Sequence, residues 1–501
     1  MSSSRRSSIS SASDDSDGLH AVDSTSHLVL VHGDEDEDDN LFDFDEGENE
    51  QTDSQFQLGR SSAQPLSPTF VFLYLLSPHL KLGSMLLPNV GIPLKFGLPA
   101  LFLFAFLSAF ARQIWFMLGR HIRKDDLADA VVDVFARSRR RMKRRRQAIR
   151  SIVQLGTGVL RTLLAIVYLR VAVALLVPLL TDDLPTVTPT VLCFILGFFL
   201  FPFCLGQSLA SRTVIYSTWI SIATYMVWFI LVAYAHSKGA LKVSESWLRM
   251  GTLWQGITTI AFAFSTSNTL TLHASLKASM QPNSSAVLKR PLSRSFRFLS
   301  SLSVALAVCF AIPLIVFAAF PNRLQAKNPA LKIRPFIMFF DAATLITGIP
   351  SILATTPKLP IPEHIRGRTS VPISRILVFL IVVLLAFVPA KVSGIFSDIL
   401  LSCALSATYF LPALLHIINH FFRRPLSIVM PNPSTPNPTA TFSDDAPQSS
   451  ADDPLLRRKE QALQKKQWQR RIIWDLGVWI LLVPIGGGGF AWGVGKISGR
   501  W

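Results

Sequence analysis

Lys81 stands in the middle of a long apolar run, TFVFLYLLSPHLKLGSMLLPNVGIPLKFG, from Thr69 to Gly97. The run can cross a bilayer and is apolar at both ends, yet Ser77–Ser84 reads SPHLKLGS. A charge at membrane depth is expensive and marks a functional position by default. Pro78 has no N–H to give to a helix and Gly83 accepts φ > 0, so the segment suits a helix that stops and restarts at mid-membrane. Non-helical backbone at that depth is tolerated only against protein or a water-filled cavity. Membrane carriers place their cargo sites at such breaks. His79, beside the break, has the side chain whose unperturbed titration falls nearest neutrality and is a candidate proton group.

Two further ionisable groups interrupt apolar runs: Arg170 in LLAIVYLRVAVALLVPLL and Asp341 in FIMFFDAATLITG. Neither belongs against lipid, so each is expected to face the bundle interior, and a pair between them is the first partnership to examine. Such a pair would either gate a cavity and carry a proton or simply fix helix packing. Asp398 falls near a membrane edge. His416 and His420 fall at the end of a run and suit interface placement. Thr344 and Thr347 could lend hydroxyls to a sodium ion, although Lys81 nearby would repel it.

These residues need helices to position them, and the composition supplies helices of one kind. Of 501 residues, 50% are hydrophobic and 16% charged, with 36 Phe, which places the chain in the membrane class. The mean hydropathy is +0.39. Eleven apolar runs can span the membrane: 69–90, 93–118, 154–180, 187–207, 213–235, 251–274, 299–320, 335–355, 373–390, 394–420 and 472–494. Gly486 to Gly489 interrupt the last one. The division is therefore a polar tail 1–66, a ten-helix core 67–420 with a basic loop 119–150, a flexible basic loop 421–471, and an eleventh accessory helix within 472–501. The tail carries eleven carboxylates between Asp34 and Glu50 and is too polar to bury a core.

The net charge of +17 does not indicate nucleic acid, because the basic residues cluster in loops between apolar runs. RSRRRMKRRR from Arg137 to Arg146, Lys289 to Arg297, Lys358 to Arg368 and RRKEQALQKKQWQRR from Arg457 all fall on one side if the N-terminus is cytoplasmic. The loop 321–334, with Arg323, Lys327, Lys332 and Arg334, is an exception. The arginine cluster reads as a topology anchor beside anionic lipid. Asn283-Ser284-Ser285 would then lie on the cytoplasmic side, away from glycosylation. Cys193, Cys204, Cys309 and Cys403 sit in apolar runs without metal or redox spacing, so they read as small hydrophobes.

The sixth run, GTLWQGITTIAFAFSTSNTLTLHASLK from Gly251, also turns polar midway, at Ser265, Thr266, Ser267 and Asn268. Its hydroxyls could bond back within an intact helix or flank an unwound one. Interruptions at runs one and six, each opening a group of five, fit an inverted repeat with a cargo site between its halves.

Gly83-Ser84-Met85-Leu86-Leu87-Pro88, followed by Gly91 and Gly97, resembles the Gly-x-Gly-[Ile/Val]-Leu-x-Leu-Pro signature of the amino acid/auxin permease family. Ile260-Ala261-Phe262-Ala263-Phe264 resembles that family's pattern before its second unwound segment. The acidic tail and the eleven-run layout resemble its fungal vacuolar branch, over roughly 67–494. The resemblance implies an all-α polytopic protein with the inverted 5+5 repeat of the amino acid–polyamine–organocation superfamily and broken helices 1 and 6. It implies transport of amino acids, often coupled to protons, across a vacuolar membrane, with the plasma membrane as alternative. The cargo would meet Lys81, Leu82, Gly83, Ser84, Met85, Phe262, Phe264, Ser265 and Thr266, with its carboxylate at free N–H groups of the first break. His79, Arg170 and Asp341 would serve proton coupling or gating.

Lys81 departs from the pattern, standing where the family has the first glycine of Gly-x-Gly. It could neutralise a carboxylate, relay a proton, occlude the pocket, or snorkel from a helix placed too deep. A non-transporting sensor or scaffold on the same fold therefore stays open. No Walker A loop is present, since GIPLKFG at 91–97 and GTLWQG at 251–256 lack the Gly-Lys-[Ser/Thr] ending, so secondary transport is favoured. No HExxH, His-box or Ser/His/Asp arrangement points to an enzyme, and no cofactor or metal is expected. The partners expected are an amino acid, protons and membrane lipid, and not nucleic acid.

Overall fold

The computed structural model describes residues 64–90, 92–122, 126–135, 143–181, 188–206, 208–238, 253–266, 268–280, 292–319, 333–359, 372–388, 390–419 and 474–497. All belong to one compact unit, Ser61–Trp501. The acidic tail to residue 63, Arg137 to Met142 of the basic cluster, Asn283, His420 and the loop 421–471 lie outside the described residues.

The described residues are all-helical, and the protein is an all-α polytopic membrane protein. Seven segments are long and apolar enough to cross a membrane: Pro68–Asn89, Leu94–Ile122, Lys143–Leu180, Arg212–Ser237, Ser295–Ala319, Arg334–Thr355 and Gly394–Ile417. Three shorter apolar helices, Pro189–Cys204, Ile373–Ala386 and Trp474–Gly487, occupy further expected positions. The remaining place, the sixth, holds two helices, Leu253–Ala263 and Thr269–Met280. These segments are numbered below as spans one to eleven in chain order. Gly486 to Gly489 do not end the eleventh, because the helix passes through them as a π-turn, Leu481–Gly487, and continues over Gly488–Ile497. The third span begins earlier than its apolar run, and the helix Lys143–Thr181 is about 58 Å long at 1.5 Å per residue.

Large apolar side chains face outward as well as filling the interior. Phe198 is 80% exposed, and Phe199, Phe106 and Ile152 also point outward. Lipid tails are as apolar as these side chains, so outward Phe and Ile carry no penalty. The first span is the exception, with 83% of its apolar window buried against 33% to 56% in the other six long segments. It forms the axis of the bundle. The eighth span packs most extensively on the fifth and third. Arg375 of the ninth span donates to Ala354 O (3.1 Å) at the end of the eighth and to Gly206 O (2.6 Å). A cation there satisfies carbonyls that a helix C-terminus leaves open.

Candidate functional site

Two helix breaks meet at the centre. In the first span, Pro68–Leu76 is α-helical, Ser77–Leu80 tightens to a 3₁₀ turn around Pro78, and a helix restarts over Leu82–Leu86. Pro78 has no N–H for the Tyr74 carbonyl, which is why the α-helix cannot continue through it. Lys81 links the halves with extended backbone, φ −129° and ψ −149°. Its carbonyl accepts from Met85 N (3.1 Å) and Ser84 Oγ (2.9 Å), which caps the restarting helix. The sixth span stops at Ala263, turns through Phe264 and restarts at Thr269. Ser265, Thr266 and Asn268 of the polar run thus fall outside either helix.

The halves touch where the breaks cross. A Cβ placed on Gly83 would sit 2.5 Å from Ala263 Cα, so the close approach requires glycine there. Breaking a helix in lipid leaves backbone groups needing partners. Side chains from other spans supply them. The Ala263 carbonyl accepts from His79 Nδ1 (3.1 Å), Phe264 O from Ser108 Oγ (2.8 Å), and Ala261 O from Tyr409 Oη (3.1 Å). Thr266 N donates to Thr408 Oγ1 (3.1 Å). Thr408 and Tyr409 lie in a π-turn, Ser406–Phe410, that interrupts the tenth span beside the break. A single π-turn inside a helix often marks a functional site.

Between the breaks lies a cavity of about 100 Å³. At roughly 10–15 Å³ per water on this measure, it holds several waters or a small solute. Of the expected cargo residues, Lys81, Gly83, Phe262, Ser265 and Thr266 line it. Leu82, Ser84, Met85 and Phe264 do not: Leu82 and Met85 pack into the apolar core, Ser84 caps Lys81, and Phe264 lies 5.5 Å from the His79 ring.

Lys81 is 4% exposed and lies across the eighth span. Its ammonium donates to Ser351 Oγ at 3.2 Å and, at a long 3.5 Å, to Gly348 O. A Cβ on Gly348 would come within 3.1 Å of Lys81 Nζ, so that glycine makes room for the side chain. The snorkelling alternative does not hold, because Lys81 ends inside the bundle.

The centre of the network is Arg112 of the second span, which the sequence reading did not single out. It is 1% exposed. Its Nη1 donates to Ser303 Oγ (2.7 Å), and its Nη2 donates to Leu75 O (2.9 Å) and His79 Nε2 (2.7 Å). Its Nε lies 3.5 Å from Thr266 Oγ1. One guanidinium therefore ties the first, sixth and seventh spans to the second. Its partners set the tautomer of His79: Nε2 accepts from Arg112, so Nδ1 carries the hydrogen donated to Ala263 O. A second ring proton would confront the guanidinium, so His79 serves here as a neutral bridge.

Arg161 of the third span was also missed. Its Nη2 donates to Asn268 Oδ1 (2.6 Å) at the restart of the sixth span, and its Nε is buried without a hydrogen-bond partner. Both arginines lie within the apolar runs first drawn at 93–118 and 154–180. The rule that flagged Arg170 applied equally to them.

Arg170 and Asp341 are not brought together. Among the described residues the ion pair formed is Arg150–Asp129, at 3.2 Å, and the Arg170 Nη1 is buried without a partner. Asp341 is ten residues before Ser351, about 15 Å along the helix from the Lys81 contact. Thr344 faces the fifth span rather than the break: its Oγ1 is 3.0 Å from Thr224 Oγ1, and its carbonyl accepts from Ser221 Oγ (3.0 Å). Thr347 bonds back to Ala343 O (2.7 Å). Among the described residues no group of three or more His, Cys, Asp or Glu side chains is arranged to hold a metal.

No family model matches the chain, and no curated protein matches it. The solved structures similar to it include three of variants of a manganese transporter from Eremococcus coleocola. Each has 14% identity and a TM-score of 0.45, covering 88% of this chain and 98% of that one. At that similarity neither cargo nor mechanism carries over, and the family resemblance rests on the motifs quoted above.

Proposed function

We propose that this chain is a secondary active carrier of small carboxylate-bearing solutes. Amino acids are the class the motif resemblance implies, moved with protons by alternating access between the first and sixth spans. The observation that carries the proposal is the cavity of about 100 Å³ lined from both breaks, where Lys81, Arg112, Arg161, Ser265 and Thr266 stand among apolar side chains. A break in lipid has a use only where it presents backbone and polar groups to something held there. A vacuolar membrane and a cytoplasmic N-terminus complete the reading, following the loop charges and the resemblance. With His79 bridging Arg112 and Ala263 O, Lys81 and Asp341 are the groups left to exchange a coupled proton.

One observation favours a second reading, a non-transporting sensor or scaffold. Lys81 spans from the first break to Gly348 and Ser351, a contact that could pin the first span against the eighth. Uptake of a labelled amino-acid panel into proteoliposomes, with and without an inward proton gradient, separates the two. Saturable uptake that rises with the gradient is expected of the native chain, and Lys81→Gly should abolish it or change its preference. Binding without uptake in the native chain, with uptake gained in Lys81→Gly, would overturn the carrier reading in favour of the sensor.

A further inference from the structure

The central cavity has charge of one sign. Lys81, Arg112 and Arg161 line it, and no Asp or Glu does. Lys81 and Arg112 are 4% and 1% exposed, and neither forms an ion pair among the described residues. The acceptors they reach, Ser351, Gly348, Ser303, Leu75 and His79, are all neutral. Exposed Asp126 acts electrostatically on Arg161 but lies outside the cavity lining. Buried charges are ordinarily paired, because solvation lost on burial is recovered only from a counter-charge or a full set of strong hydrogen bonds. Arg112 has most of such a set. Lys81 does not: of three ammonium hydrogens, one contact is 3.2 Å and another a long 3.5 Å. Arg161 Nε has none.

From this we infer that the cavity is a binding site for a small solute of net negative charge, with Lys81 and Arg161 donating to its anionic oxygens and Arg112 contributing field. Resting on the carrier reading, this narrows the cargo to acidic amino acids or other small carboxylate or phosphate anions. A low-dielectric cleft with one sign of charge concentrates counter-ions and repels like ions. A zwitterion gains at its carboxylate and loses at its ammonium, which finds no carboxylate here. Charge-assisted hydrogen bonds from an ammonium and a guanidinium to an anionic oxygen are about twice as strong as neutral ones, so each added anionic group should tell. The restart of the sixth span, a twelve-residue helix opening at Thr269 on the cavity wall, adds N–H groups of the same preference.

The test is equilibrium binding to the purified full chain in nanodiscs, using L-glutamate, succinate, inorganic phosphate, L-alanine and L-lysine as probes. At least one of glutamate, succinate or phosphate should bind tenfold or more tightly than alanine, and lysine should bind weakest. The pattern among the three anions separates carboxylate from phosphate recognition. Arg161→Gln and Lys81→Met should each weaken the preferred anion tenfold or more, and should weaken it by a larger factor than they weaken alanine, which keeps one carboxylate but no net charge. Alanine or lysine binding as tightly as every anion, or no anion binding at millimolar concentration, would overturn the inference. The carrier reading is judged separately by uptake. Anion binding without flux leaves this inference standing and that reading lost, whereas flux of alanine with anions excluded does the reverse.

Discussion

At the scale of single residues, Arg112 is the most consequential side chain in the protein. It holds three other spans through four contacts while carrying a charge that no acid pairs with among the described residues. Arg112→Gln should lower stability by about 3–5 kcal/mol, the range for breaking a buried charged network, measured as a fall in thermal midpoint in detergent. Arg112→Lys should recover little of it, because a point ammonium cannot reproduce the planar fork that reaches Ser303, Leu75 and His79 together. His79 makes a contrasting case. His79→Gln keeps one donor and one acceptor and should cost about 1 kcal/mol. If the imidazole is the neutral bridge described, the pH dependence of uptake should persist in that variant. Its disappearance would return the proton role to His79. Lys81 was legible in the sequence because it interrupts the most broken of the apolar runs. Arg112 was open to the same rule, since it interrupts the run 93–118, but only the fold shows that this run faces the first break. Arg170 and Asp341 show the opposite failure. Each lies within an apolar helix, but one-dimensional order does not say which helix faces turn toward each other.

At the scale of elements, the sequence carried one half of each break and hid the other. Pro78 and the polar run at 265–268 signalled where two helices would stop. The groups that accept the freed backbone come from the second and tenth spans, and neither advertises it. Ser108 looks like an ordinary small residue in a membrane helix, and the π-turn Ser406–Phe410 has no composition of its own. Thr408→Val removes the partner of Thr266 N and should cost about 1–3 kcal/mol, as for a buried donor left unsatisfied. Tyr409→Phe should cost about 1 kcal/mol by loss of the bond to Ala261 O. Hydrogen exchange at residues 261–266, faster in both variants, checks the location of the effect. Gly83→Ala should be worse than its single methyl suggests. The added Cβ would meet backbone rather than a movable side chain, so we expect about 1–3 kcal/mol of overpacking or more, with poor recovery of folded protein.

At the scale of the whole molecule, each of the eleven apolar runs holds a helix or a helix pair, and seven of these segments are long and apolar enough to cross a membrane. Which segment sits at the axis was not visible, because the first span is as apolar at its ends as those that face lipid. The distinction has measurable consequences. Leu80, 1% exposed, packs at the axis, and Leu80→Ala should cost about 2–5 kcal/mol. Phe198, 80% exposed, faces outward, and Phe198→Ala should change the thermal midpoint in nanodiscs little, since lipid replaces what the ring touched.

The enclosure of the first span also bears on how the protein is made. Among the long segments it is the least apolar and the most enclosed by its neighbours. A ribosome delivers it to the membrane before the spans that surround it exist. For that interval Lys81, His79 and an unsatisfied turn around Pro78 stand in lipid or at the insertion channel with no Arg112, Ala263 or Ser351 to receive them. Its residence in the bilayer therefore depends on partners synthesised later. The second, sixth and eighth spans bring those partners, so the first span is complete only when the eighth has been made.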